Sequence, residues 1–100
     1  MAKGYWIGRV DIHNMDGYRA YIEGNAEVFR KYGAQFLVRG GQHETREGTS
    51  RGRNVIIEFK DYATALACYN SPEYQKLIAI RSPHSTADIV IIEGYDGPQP

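Results

Sequence analysis

The chain has 100 residues, a length typical of one domain with a modest core. Its 12 lysines and arginines balance 12 aspartates and glutamates, and this zero net charge argues against nucleic acid as the main partner. The single cysteine, Cys68, excludes an intrachain disulfide and every metal site built from several cysteines. The start lacks an apolar signal segment and the longest apolar run, 89–92, is too short to span a bilayer, so we expect a soluble cytoplasmic protein without a membrane partner.

The hydrophobic pattern predicts six elements in chain order. Residues 5–12 alternate as a strand, 16–32 carry an apolar stripe at helical spacing, and 35–39 alternate again. Residues 42–53 are polar and indicate a long hairpin connection, and 55–59 form the third strand. Residues 61–80 are predicted helical with a break, and 88–93 are the last strand.

The helix boundaries have recognisable caps in the sequence. Asn14 or Asp16 can cap the first helix, and Asp61 the second. Ser71 is a favourable N-cap, and Pro72 fits the first helical position, so a helix is expected to restart there. The resulting βαββαβ order is that of a ferredoxin-like sandwich, an α+β fold with a four-stranded antiparallel sheet and helices on one face. We expect one domain over residues 1–97 and an irregular tail over 98–100.

Such a sheet leaves one face without helices. The residues expected on the helix side are Trp6, Val10, Phe36, Val38, Val55, Ile57 and Phe59. Those expected on the other face are Ile7, Arg9, Asp11, Leu37, Arg39, Ile56 and Glu58. Apolar side chains mixed with charges on an uncovered face predict a homodimer that forms through it.

Arg39 and Glu58 stand out on the expected helix-free face. Their strands are antiparallel neighbours through the hairpin, so the two side chains are expected side by side. They form either a structural ion pair at a subunit interface or an anion-binding arginine with a general base. His13, after the first strand, is a further candidate acid or base, with a surface turn as the alternative.

Aromatic residues are the other unusual feature, with eight tyrosines in the chain. Most are expected at the edge of the core with the hydroxyl reaching water, and Tyr21 and Tyr74 are candidates for the wall of a ligand site. Asn25 interrupts the apolar stripe of the first helix and needs a hydrogen-bond partner, either a tyrosine hydroxyl or a ligand. Arg9 is a further candidate ligand-binding residue. The three histidines lack metal-ligand spacing, so no metal site is expected.

Several stretches together resemble the family called domain of unknown function 1330. They are Gly4-Tyr5-Trp6-Ile7, the segment Tyr32-Gly33-Ala34-Gln35-Phe36-Leu37-Val38-Arg39-Gly40-Gly41, Ile57-Glu58-Phe59, Tyr69-Asn70-Ser71-Pro72-Glu73-Tyr74-Gln75 and Glu93-Gly94-Tyr95. The resemblance covers about residues 4–97. It implies membership of the dimeric α+β barrel group, with a homodimer packed through the helix-free faces.

Two functions from different classes fit these features. The first is an enzyme without metal or bound organic cofactor, acting on a small anionic or enolisable substrate. It would use Arg39 to hold an anionic oxygen, Glu58 or His13 to move a proton, and tyrosines as walls. The second is a non-catalytic ligand-binding or regulatory dimer with the same cavity. The cleft is expected between helices and sheet or inside the dimer barrel.

Overall fold

The computed structural model describes residues 2–100; Met1, where the predicted domain begins, lies outside them. The chain forms β1 (Gly4–Ile12), α1 (Met15–Lys31), β2 (Gln35–Arg39), β3 (Arg53–Phe59), α2 (Tyr62–Asn70), α3 (Pro72–Arg81), a short 3-10 turn (Ser82–His84) and β4 (Ser85–Glu93). The strands pair antiparallel in the order β2-β3-β1-β4. This confirms the predicted ferredoxin-like fold.

Side-chain caps begin each helix where the sequence predicts. The Asn14 side chain accepts a hydrogen bond from the backbone N–H of Gly17, and the Asp61 carboxylate accepts one from Thr64 at 2.8 Å. After α1, Gly33 adopts a φ of 69°, a left-handed conformation that glycine enters without steric cost. These local signals therefore set the helix boundaries.

Trp6 lies at the centre of the hydrophobic core. Its side chain is 2% exposed, and its indole N–H donates to the carbonyl of Ala65 at 2.9 Å. Its ring centroid lies 5.4 Å from that of Phe29 and 4.9 Å from that of Tyr74, both in edge-to-face geometry. Edge-to-face aromatic contacts contribute beyond the area they bury. One residue of β1 thereby contacts all three helices.

The strand β2 contains an irregularity that the sequence pattern does not reveal. Phe36 pairs with Ile57, but the next paired residue is Val38, opposite Ile56. Leu37 is the extra residue of a β-bulge, because two residues of β2 stand against one of β3. Beyond the bulge the alternation of β2 is reversed. The expected helix-side position of Val38 is therefore wrong, since its partner Ile56 lies on the other face.

The same bulge separates Arg39 from Glu58. Arg39 pairs with Val55 and faces the helices, whereas Glu58 lies on the helix-free face between Gln35 and Tyr5. The expected side-by-side placement of Arg39 and Glu58 is therefore wrong. The alternation of side chains predicts the face on which a residue lies only where the strand pairs without a bulge.

The last strand begins earlier than predicted. Pairing of β1 with β4 extends from Gly4↔Glu93 to Ile12↔Ser85, so residues 85–87 belong to the strand and not to the preceding loop. The Ser85 hydroxyl donates to the carbonyl of Arg81 at 2.8 Å. Residues 85–88 have a weak local preference for a strand because they are mostly polar. They are extended because they pair with β1, and this tertiary pairing overrides the local preference.

The face of the sheet without helices is called the open face below. It presents several apolar side chains to solvent, namely Ile7, Val38, Val90 and Ile92. Within residues 2–100, no helix combines the length and apolar character needed to cross a membrane. The open face therefore carries a row of apolar side chains that its own chain leaves uncovered.

Replacing Ser71 by alanine should lower the free energy of unfolding by about 1–2 kcal/mol. The buried Ser71 hydroxyl accepts from the N–H of Tyr74 at 3.2 Å and donates to the carbonyl of Cys68 at 2.8 Å. Urea unfolding measures the loss. The matched control is Ser82→Ala, an exposed serine that bonds Ile78, which should change stability by less than about 0.5 kcal/mol. Equal midpoints for both variants would contradict the cap.

Candidate functional site

A recess opens between the sheet, α1 and α3 on the helix side. Its cavity volume is about 40 Å³, and it is open to solvent at one side. Gly8 contributes to the floor: a side chain there would come within 2.9 Å of Val55. The absent side chain leaves room between Trp6 and Val10, its neighbours on the same face of β1.

Three arginines line this recess, which we call the arginine pocket. Arg39 is exposed at the end of β2, with its guanidinium 4.1 Å from the ring centroid of Phe36. Arg53 begins β3 and is half-buried. Arg81 ends α3, is 7% exposed, and has its guanidinium 5.6 Å from the ring centroid of Tyr21. The positive charge therefore extends from the mouth to the buried end.

No acidic side chain balances these three charges. The ion pairs within residues 2–100 all involve other cations, and no carboxylate, imidazole or thiol lines the pocket. The buried Nε of Arg81 has no hydrogen-bond partner in this part of the chain. Burying a cation without an anion is costly, so the pocket is electrostatically complementary to an anion.

Tyrosine hydroxyls and one amide complete the polar groups of the pocket. The hydroxyls of Tyr21 and Tyr74 lie 2.6 Å apart in a buried hydrogen bond. Burial raises the pKa of Tyr18, Tyr21 and Tyr74 above the ordinary value, so all three stay protonated at neutral pH. Asn25 is 5% exposed, and its Oδ1 has no hydrogen-bond partner among residues 2–100. An unpaired buried acceptor therefore faces the same site as the arginines.

The structure brings together four of the sequence-predicted site residues. Asn25, Tyr21, Tyr74 and Arg39 all line the arginine pocket. Three further members were not expected: Tyr18, Arg53 and Arg81. Spacing could have indicated Arg81, which follows Tyr74 by seven residues on the same helical face, whereas Arg53 was assigned to the hairpin connection.

Three other predicted residues lie elsewhere. Glu58 is on the open face, where it accepts a hydrogen bond from the Tyr5 hydroxyl at 3.2 Å and lies 3.7 Å from Lys3. His13 is exposed after β1 and bonds the Thr86 hydroxyl at 2.8 Å.

Arg9, the third, is also on the open face. It lies 3.8 Å from Asp88, beside a shallow recess formed by loop residues 43–50. The sequence indicates the strand and the face on which each candidate lies. The packing of the helices on the sheet decides which of these side chains come close together. The predicted site therefore divides between two faces of the sheet.

The described residues 2–100 contain neither a cluster of metal ligands nor a thiol in its reactive form. Across residues 2–100, no group of three or more His, Cys, Asp or Glu side chains is arranged to hold a metal ion. Burial, and secondarily the charge of Glu73, raise the pKa of Cys68 to about 12, so this thiol stays protonated. The groups in the arginine pocket can instead bind an anion, donate hydrogen bonds and stabilise negative charge.

Comparison with protein-family models gives one match. The model described as Domain of unknown function (DUF1330) matches residues 3–95. The chain belongs to this family. None of the curated proteins matches it at a significant level.

Solved structures with this fold come from several bacteria. RPA0582, a protein of unknown function from Rhodopseudomonas palustris, has a TM-score of 0.72 and 16% identity over 99% of this chain and 85% of that chain. SnoaB, a cofactor-independent oxygenase from Streptomyces nogalater, has a TM-score of 0.67 and 13% identity over 100% and 97%. A dimeric ferredoxin-like protein of unknown function from Thermobifida fusca has a TM-score of 0.58 and 12% identity over 92% and 89%. At these identities the likeness establishes the fold.

In this DUF1330 chain, Arg51 connects the β2–β3 loop to the sheet. Its guanidinium lies 2.7 Å from the Asp11 carboxylate and 2.8 Å from that of Asp88, and the N–H of Gly52 donates to Asp11 at 3.0 Å. Arg53, the residue after Gly52, begins β3. The contacts of Arg51 and Gly52 with Asp11 therefore also fix the backbone next to Arg53. The open-face carboxylates therefore anchor one side of the pocket mouth.

Replacing Arg51 by methionine should remove an acid-sensitive part of the stability. The hydrogen bond from the Gly52 N–H lowers the pKa of Asp11 most, and the hydrogen bond from Arg51 lowers it further. The hydrogen bond from Arg51 also lowers the pKa of Asp88. A lowered folded-state pKa stabilises the fold above the unfolded value, and this contribution is lost as pH falls through the folded value. Wild type should therefore exceed Arg51→Met in urea midpoint above about pH 5, with the difference shrinking below about pH 4.

The control for this series is Arg46→Met, an exposed arginine of the same loop whose ion pair within residues 2–100 is with Glu44 at 3.9 Å. Its midpoint should follow the wild-type curve. A wild-type to Arg51→Met difference that stays constant across the acidic range would contradict the role of Asp11 and Asp88.

Proposed function

We propose that the arginine pocket binds a small anionic or enolisable molecule and that the protein converts it without a cofactor. The observation that carries the proposal is the grouping of Arg39, Arg53 and Arg81 around one recess, with no acidic partner for them among residues 2–100. Arg53 is half-buried and Arg81 is buried, and neither is paired within residues 2–100, so an anionic ligand would stabilise both. Aromatic and aliphatic walls then favour a ligand with an apolar body.

The proposed chemistry is stabilisation of an enolate or phenolate. Guanidinium groups lower the pKa of a bound acid, because they favour its charged form in a site of low dielectric constant. One hydroxyl of the Tyr21–Tyr74 pair donates to the other, and the second can donate its proton to the ligand oxygen. The shared fold of SnoaB, described as a cofactor-independent oxygenase, supports a search for turnover with dioxygen and no added cofactor.

One observation favours the non-catalytic alternative. The pocket lining contains no carboxylate, imidazole or thiol, which are the usual general bases and nucleophiles. Glu58 and His13, the bases expected from sequence, lie outside the lining. A ligand-binding or regulatory protein needs only the arginines and the aromatic walls, so binding and turnover must be measured separately.

Benzoate, a one-ring carboxylate, tests the binding step. Wild type should bind it measurably by calorimetry, and Arg39→Gln should weaken binding about tenfold or more because a charged hydrogen-bond donor is lost at the mouth. The indole resonance of Trp6, the single tryptophan, should shift on titration because this residue lines the pocket. Oxygen uptake with a metabolite extract, compared between wild type and Arg39→Gln, then separates an enzyme from a binding protein.

Arg46→Gln in the exposed loop is the control for nonspecific loss of positive charge. It should bind benzoate as wild type does. If wild type binds no benzoate, or if both variants weaken binding equally, the pocket assignment is wrong. If binding is intact and no extract gives arginine-dependent turnover, the ligand-binding alternative replaces the enzyme.

We further propose that the protein is a homodimer formed through the open face. The support is the row of exposed apolar side chains that includes Ile7, Val90 and Ile92, together with a structural relative described as dimeric. The acids of that face are already paired within the chain, Glu58 with Lys3 and Asp11 with Arg51. Packing a second open face over these side chains therefore buries apolar surface without isolating a charge.

Light scattering should give a solution mass of about twice 11.3 kDa. Ile7→Glu should shift the mass towards the monomer, because a carboxylate would be buried at the interface. The matched control is Ile80→Glu on α3, whose wild-type side chain is 39% exposed against 38% for Ile7. A wild-type mass near 11.3 kDa, or equal dissociation by both variants, would contradict the interface.

A further inference from the structure

Resting on the proposed function, we propose that the natural ligand is a one-ring aromatic acid that carries a hydroxyl group. Its anionic oxygen binds the buried end of the pocket at Arg81, and its hydroxyl donates to Asn25. The basis is a pair of buried polar atoms that lack partners: the Nε of Arg81, a donor, and the Oδ1 of Asn25, an acceptor. These two atoms lie at the buried end of the pocket, so they place requirements on the ligand in addition to those of Arg39 at the mouth.

Arg81 defines the anionic end of the ligand. Arg81 is only 7% exposed, and the tyrosines beside it, Tyr74 and Tyr21 with its ring at 5.6 Å, stay protonated and supply no compensating charge. A guanidinium presents donors in a planar fork that matches a carboxylate. A ligand carboxylate or phenolate oxygen would supply both the missing charge and the missing acceptor.

Asn25 defines the second requirement. Its side chain is 5% exposed on α1, one turn beyond Tyr21, and its Oδ1 needs a donor. No donor of residues 2–100, the Tyr21 hydroxyl included, lies in hydrogen-bonding geometry with this oxygen. A carboxylate cannot donate to Oδ1, so a simple anion leaves this acceptor unsatisfied. A hydroxyl on the same ligand satisfies it.

The walls define the body that joins the two groups. Trp6, Phe29 and Phe36 line the recess, and flat rings pack favourably against aromatic side chains. The cavity volume is about 40 Å³, well below the range of about 300–1,000 Å³ for small-molecule pockets, so only a small ligand that also occupies the open mouth can bind. A single ring therefore fits the available space better than a fused system, and the spacing of its two substituents selects one isomer.

Calorimetry on wild type with benzoate, phenol and the three monohydroxybenzoates tests the inference. One hydroxybenzoate isomer should bind about three- to tenfold more tightly than benzoate, because one additional hydrogen bond is formed. Phenol, which is neutral at neutral pH, should bind more weakly than either. The Trp6 indole resonance places each ligand in the pocket.

Two substitutions assign the two groups. In Asn25→Leu, which removes the acceptor and keeps the branched shape of the side chain, the ratio of hydroxybenzoate to benzoate affinity should fall to about one. In Arg81→Gln, benzoate should bind at least about tenfold more weakly, with Arg81→Lys as a second variant that keeps the charge but loses the fork. Arg30→Gln, an exposed arginine of α1 without an ion pair among residues 2–100, should leave both affinities unchanged.

The outcomes separate this inference from the proposed function. If benzoate binds and responds to Arg39→Gln, but no hydroxybenzoate binds more tightly, the pocket stands, water alone satisfies Asn25, and the hydroxy-acid inference is overturned. Persistence of the hydroxyl advantage in Asn25→Leu overturns it as well. If wild type binds none of these acids, the inference and the anion pocket both fail.

Discussion

The contact of Trp6 with the three helices is the constraint on which the rest of the structure depends. The indole is held by the Ala65 carbonyl on α2, by the edge contact with Phe29 on α1 and by that with Tyr74 on α3. Because one buried side chain sets the distance of every helix from the sheet, it also sets the depth of the arginine pocket. The hydrogen bond between the hydroxyls of Tyr74 and Tyr21 then fixes α3 against α1 around Arg81.

The sheet separates two kinds of chemistry. On the open face the acids Glu58, Asp11 and Asp88 are each paired with a basic side chain of the same chain. On the helix side the arginines of the pocket are unpaired within residues 2–100. A face whose charges are satisfied suits contact with another protein surface, whereas an unpaired cationic recess suits a small anion.

A buried arginine without an anionic partner lowers the stability of the fold, so its presence calls for a functional reason. The aromatic cluster around Trp6 and the capped helices provide the stability that tolerates Arg81, and departures from good packing of this kind concentrate at functional sites. Shared fold alone leaves the reaction open, since unrelated activities occur on the same framework. The arginine grouping is a property of this chain's side chains and is the stronger guide to its ligand.

The sequence by itself determined the element order, the helix caps and the fold, because periodicity, Asn14, Asp61 and the Ser71-Pro72 pair are local signals. It also identified Asn25, Tyr21 and Tyr74 as candidates, through a polar residue in an apolar stripe and an excess of tyrosine.

Only the tertiary structure decided which charges meet. The bulge at Leu37 reverses the alternation of β2 and turns Arg39 from the open face to the pocket, away from Glu58. Arg53 and Arg81, distant in sequence, converge there because the start of β3 and the end of α3 both border the recess beside α1. A bulge depends on strand pairing and a pocket on three-dimensional packing, and neither is encoded in the spacing of residues along one element.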